Sequence, residues 1–147
     1  LVRDRKDLRV GFFQFPLTIG HPLAFKAAAA AHCFGAHGGA TAVEFMEYFY
    51  PLRKDIDFSS VDLTNYGFAE LKGLEEPFLA CYMKEPNIRS VLNAMQMAVD
   101  VGVAHTPMIY YNGLSYYPND ILALLKPEAP PGVPAAEPAD PPSEPAP

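Results

Sequence analysis

Apolar and polar positions follow two different rhythms along this chain, and the places where the rhythm changes mark its elements. Leu8 to Phe15 is a short β-branched and aromatic run with Arg9 as its only charge, stopped by Pro16. That pattern predicts a strand buried on both faces, and hence a parallel or mixed sheet. After His21-Pro22, the residues Leu23-Ala24-Phe25-Lys26 and the alanines Ala27 to Ala31 have the highest helix propensity in the chain, and the helix should stop by Gly38-Gly39. Thr41-Ala42-Val43-Glu44 fits a capping box for a second helix, whose apolar side is Val43, Met46, Tyr48, Phe49 and Tyr50 before Pro51. A third helix is expected from Ser60 to near Gly73, and a short one from Glu75 to Met83. Pro86 opens the longest, where Ile88, Val91, Leu92, Met95, Ala98 and Val99 recur at helical spacing until Gly102. From Thr106 the period shortens. Met108 to Tyr111 reads as a strand, Asn112-Gly113 as a hairpin turn, Leu114 to Tyr117 as the return, and Asn119 or Asp120 as the cap of a last helix through Leu125. Strand, a run of helices, hairpin and helix, with no internal repeat, describe an α/β chain with a helical insertion.

Composition changes this picture at the ends. Nine of the 16 prolines lie in the last 21 residues, Pro127 to Pro147. Such a segment cannot bury a core; it favours polyproline II and could span roughly 65 Å as a tether, or remain a tail without a partner. The body before it holds all 11 Lys and Arg and 13 of the 17 Asp and Glu, so it carries −2 and the tail −4. No basic patch suggests nucleic acid, and the longest apolar stretch, Pro22 to Ala31, is too short to span a membrane. At the start, Arg3-Asp4-Arg5-Lys6-Asp7 ahead of an apolar run imitates a signal peptide, but the two acids, Gln14 and Pro16 interrupt it. The expectation is a sequence that begins inside a gene, with the end of a helix turning at Lys6-Asp7 into the strand.

Several blocks carry a resemblance. Val101-Gly102-Val103-Ala104-His105-Thr106-Pro107, the apolar strand after it and Asn112-Gly113 resemble the Gly-Val-x-x-Thr-Pro-(strand)-Asn-Gly block of the thioredoxin superfamily. Phe15-Pro16-Leu17, His21-Pro22-Leu23-Ala24, Gly38-Gly39, the aromatic run Glu44 to Tyr50 and Gly73-Leu74-Glu75-Glu76-Pro77-Phe78-Leu79-Ala80-Cys81 resemble, in order, the short bacterial thioredoxin-like branch of the DsbA-like thiol:disulfide oxidoreductases. The resemblance implies a thioredoxin-like α/β fold with an inserted helical subdomain. Residues 1–20 would be a strand and connection, 21–85 the helical insertion, 86–126 the C-terminal half with helix, loop, hairpin and helix, and 127–147 a disordered Pro-rich tail. It implies a cis proline at Pro107, with His105, Thr106 and Pro107 binding substrate through the backbone. It implies disulfide exchange with protein or peptide substrates in a bacterial periplasm or cell envelope, without cofactor, metal or nucleic acid. The chain departs from the family in having no Cys-x-x-Cys. In the family that motif lies upstream of the strand matching Leu8 to Phe15, so the expectation is an N-terminally truncated member without its nucleophile and N-terminal strands. The alternatives are a non-catalytic peptide-binding or chaperone module using the loop, and a glutathione-linked isomerase or transferase.

The candidate chemistry is then small. Cys33 and Cys81, the only cysteines, stand 48 residues apart with no second metal ligand near Cys81. They are either a structural disulfide of an oxidising compartment or two buried thiols. Both positions resemble ones where some family members carry cysteines. His21, His32 and His37 read as structural. His105 reads either as an exposed loop side chain or, by the resemblance, as an imidazolium that would favour a neighbouring thiolate. Met83, Met95 and Met97 with Tyr48, Phe49 and Tyr50 could line a groove for unfolded substrate, though such stripes are more often core.

Overall fold

The computed structural model describes residues 8–125. The charged stretch 3–7 and the tail 127–147, with the helix end and tether expected there, lie outside these residues. The described chain is α1 (Ala24–Gly35), α2 (Gly39–Leu52), α3 (Val61–Lys72), α4 (Glu75–Cys81), α5 (Glu85–Asp100), β1 (Ile109–Tyr111), β2 (Leu114–Tyr116) and α6 (Pro118–Leu124). It divides into two compact units between Thr106 and Pro107.

The expected thioredoxin-like α/β architecture is not the one found. Helices hold 58% of the described residues, and among these residues the one sheet is the antiparallel pair β1–β2. Leu8 to Phe15, expected as a strand buried on both faces, has no strand structure, and Val10, Phe12 and Phe13 are exposed. The reason is physical. An apolar, phenylalanine-rich run states a preference, but a strand exists only when a second strand satisfies its backbone, and composition does not say whether that partner is present.

In the first unit α1 is the centre, touching α2, α3, α4 and α5. Ala28, Ala29, Ala30 and Ala31 are all buried, so this helix offers methyl groups where longer side chains would hold its neighbours off. Beyond them, near the helix end, Phe34 lies between Phe45, Phe68 and Phe78 with ring centroids 4.9, 4.8 and 5.0 Å away, the last pair stacked and the second edge-on. Each such pair adds about 0.5–1.5 kcal/mol to simple burial. On the other side Val91 of α5 packs on Ala28 and Ala29, with Met95 against the same cluster. Of the six side chains expected either as a groove or as core, Phe49 is buried and Tyr48 and Met95 pack on the core, whereas Tyr50, Met83 and Met97 are exposed.

Helix ends show where local sequence rules hold. Gly73 takes a left-handed conformation (φ 64°, ψ 36°), and the N–H of Leu74 reaches back to the carbonyl of Ala69 at 2.8 Å, closing α3 as expected. The capping box expected at Thr41 is not formed: α2 begins at Gly39, because Gly38 (φ 118°, ψ 140°) turns the chain in a conformation that side chains rarely adopt. Ahead of α3, the Asp57 carboxylate accepts from the N–H and the hydroxyl of Ser59, at 2.9 and 2.6 Å, and from those of Ser60, both at 2.8 Å. These donors, the Ser59 hydroxyl foremost and then that of Ser60, hold the carboxyl at about 2 against an ordinary 3.8.

The second unit is built on its turn. Asn112 and Gly113 both have positive φ (50° and 81°), as a two-residue hairpin requires, and the register pairs Ile109 with Tyr116, Tyr110 with Ser115 and Tyr111 with Leu114. The strand begins at Ile109 rather than at Thr106 or Met108. The last helix starts at Pro118 with Tyr117 before it, so neither Asn119 nor Asp120 is the cap; a proline at the first helical position costs no hydrogen bond.

Phe34→Ala should cost about 3–5 kcal/mol in urea unfolding, since it empties the middle of the aromatic cluster, while Leu63→Ala, at a position 74% exposed, should stay within about 0.5 kcal/mol. An equal effect at both sites would place the core elsewhere. By carboxyl NMR, Asp57 should titrate near 2 and rise toward 3.8 in Ser59→Ala. Because the folded value lies below the unfolded one, the turn's contribution is complete above pH 3.8 and fades as the pH falls to about 2.

Candidate functional site

Cys33, in the last turn of α1, and Cys81, the final residue of α4, are joined by a disulfide, with S–S 1.99 Å and Cα atoms 5.8 Å apart. Of the two readings of this pair, the bridge is the one the structure has. Cys33 is buried and Cys81 half-buried against the same aromatic cluster. Both sulfurs are bonded to each other, so no thiolate is available from this chain while the bridge stands. No grouping of His, Cys, Asp and Glu among the described residues could hold a metal ion.

Next to the bridge is a polar network that sequence patterning did not find. Tyr82 stacks on Phe78 with ring centroids 4.8 Å apart; its hydroxyl donates to Asp62 Oδ1 at 2.6 Å and accepts from Asn65 Nδ2 at 3.1 Å. Lys26 Nζ donates to Asp62 Oδ2 at 2.6 Å while lying 4.1 Å from the centroid of the Phe58 ring. Burial, and then the Asp62 carboxylate, push the Tyr82 hydroxyl well above its ordinary value, so it stays protonated and acts as a donor. Partial burial opposes ionisation of Asp62, but its bonds from Lys26 and Tyr82 outweigh this and hold it below the usual carboxylate range. The network ties α1, α3 and the end of α4 together. Its signal was present in part: Asn65 falls between Val61 and Phe68 on the buried side of α3. In the same way Asn87 shares a stripe with Val91 and Ala98 on α5, and its Nδ2 donates to the carbonyl of Ala29 at 3.1 Å. A buried polar residue on an apolar stripe announces a partner without naming it.

The loop His105-Thr106-Pro107 follows α5. α5 closes through Gly102 (φ 77°) and a bond from the N–H of Val103 to the carbonyl of Ala98 at 2.8 Å. His105 is half-buried; Thr106 and Pro107 are exposed. Thr106 ends the first unit and Pro107 begins the second. Of the other histidines, His21 accepts the N–H of Ala24 at its carbonyl where α1 starts, His37 has its carbonyl 3.4 Å from the Thr41 hydroxyl, and His32 is exposed near the end of α1. No helix among the described residues is long and apolar enough to cross a membrane.

Reducing the bridge, or replacing both cysteines by serine, should lower stability by roughly 4 kcal/mol, the loop-closure value for 48 residues. The readout is the urea midpoint with and without dithiothreitol, and an unchanged midpoint would mean that helix packing alone fixes α4. Both thiols should become open to alkylation only after reduction.

In comparisons with known proteins, no family model, no curated protein and no solved structure matches this chain.

Proposed function

We propose that this chain belongs to a protein thiol:disulfide exchange system of the DsbA-like kind, and supplies the part that holds client protein rather than the part that attacks it. The observation that carries the reading is the Cys33–Cys81 bridge. A disulfide persists in an oxidising compartment, the setting in which such exchange takes place, and this supports a bacterial cell envelope. Exchange begins with a thiolate attacking a disulfide sulfur, and with both of its cysteines bonded to each other the chain has none to offer. Its share is recognition. The order of motifs from Phe15 to Gly113 supports the kinship, and Thr106-Pro107 is the exposed backbone that would meet a client segment. The reading rests on these residues and the bridge, not on a shared fold. A second reading, a peptide-binding module with no redox partner, is favoured by the same absence of a free thiol.

The chain alone should reduce insulin disulfides no faster than background, and turnover that disappears in Cys33→Ser would show that the chemistry has been misplaced. A reduced, thiol-blocked unfolded protein should bind the chain, with affinity falling about tenfold, or 1.4 kcal/mol, in Pro107→Ala. Unchanged affinity would remove the loop from the proposal. Disulfide turnover by the product of the whole gene would separate the oxidoreductase from the binding module.

A further inference from the structure

Residues 8–16 have the composition of a strand, yet no hydrogen bond joins their backbone to another described residue. Backbone left outside both helix and sheet presents donors and acceptors ready for another chain. Three apolar side chains of the segment are open as well, Val10 54%, Phe12 56% and Phe13 70% exposed, while Leu8, Gln14 and Phe15 are half-buried and Pro16 is buried. Residues 10–14 also form one wall of a groove of about 680 Å³, and both wall and floor belong to the first unit. The floor comes from α1, the start of α2 and α5, and includes Ala31, Gly35, Ala36, Ala42 and Ala94. These small residues leave room that larger side chains would have filled. No Asp, Glu, Lys or Arg lines the groove.

We infer that this groove receives an extended, uncharged apolar segment of another protein, which adds to residues 8–16 as a strand and seats alternate side chains on the alanine floor. Strand addition supplies what the segment lacks, because main-chain bonds give the affinity and every second side chain, about 7 Å along, turns to the same face. A charge on the occupant would be taken from water and meet no counter-charge in the lining. The chain's own Pro-rich tail is a poor occupant, since nine of its 21 residues have no N–H to pair. A second copy is disfavoured by size: a strip about 30 Å long and one strand wide falls short of the ~1,000 Å² that a stable interface between copies needs. A peptide held through its backbone needs no more than such a strip. The site needs neither thiol nor disulfide in its occupant and is built from residues other than the His105–Pro107 loop, so it goes beyond the exchange function and can fail or stand without it.

The test uses the full 147-residue chain and the peptide acetyl-Thr-Val-Thr-Val-Thr-Val-Thr-amide, read by hydrogen–deuterium exchange at residues 9–15. The peptide should slow these amides at least tenfold, whereas versions with the valines replaced by proline or by aspartate should slow them less than twofold. Ala36→Phe, at an exposed floor position, should cut the slowing to threefold or less without moving the thermal midpoint. No slowing at millimolar peptide, equal slowing by all three peptides, or slowing that tracks protein concentration together with a dimer in sedimentation would overturn the inference, the last by giving the groove to a second copy. Pro107→Ala should leave the effect unchanged.

Discussion

The fold depends on how closely other helices can approach α1. Helices crossing with ordinary side chains between them lie about 8–10 Å apart, and small residues take the lower end of that range. With Ala28 to Ala31 buried on α1, Val91 of α5 settles directly on methyl groups, and Asn87 Nδ2 comes within 3.1 Å of the Ala29 carbonyl. An amide reaching a mid-helix carbonyl that already serves its own helix is a sign of short separation. Near the end of the same helix Phe34 replaces the methyl groups and draws in Phe45, Phe68 and Phe78, so one element sets both the tight and the bulky side of the core.

α4 is the element least able to hold itself. Its seven residues are too few for a helix to persist by its own hydrogen bonds. Three different kinds of interaction fix it: Phe78 in the aromatic cluster, Cys81 bonded to α1, and Tyr82 just beyond its end bonded to Asp62 and Asn65 of α3. They fail under different conditions, since the disulfide answers to reductant, the ring stacking to temperature and the Asp62 bonds to acid.

What could be read in advance divides along one line. Signals completed within a few residues were legible: the alanine helix, the stops at Gly73 and Gly102, Pro86 at the start of α5, and the hairpin turn at Asn112-Gly113. Features that need a distant partner were not. Leu8 to Phe15 states a preference that no described strand answers, so an α/β expectation built on that run gave way to a helical unit followed by a lone hairpin. The Lys26–Asp62–Tyr82 network joins positions 36 and 20 residues apart, and nothing in the spacing pairs them. The cysteines are the intermediate case, because a sequence with two of them leaves one possible pairing and only the closure undecided.

The bridge also changes the topology of the chain as a covalent object. Residues 33 to 81 form a closed ring that contains α2, α3 and α4, while α5, the hairpin and the Leu8–Phe15 segment hang from it as two open arms. A single cut at the exposed turn between α2 and α3, around Lys54 to Ser59, opens the ring but releases nothing, so the nicked molecule gains only the water of hydrolysis and keeps both arms until a reductant separates the two halves. A cut in either arm leaves the severed piece with no covalent tie to the ring, so denaturation alone releases it. Limited digestion with and without reductant therefore maps this protein into a region whose damage stays hidden and regions whose damage shows.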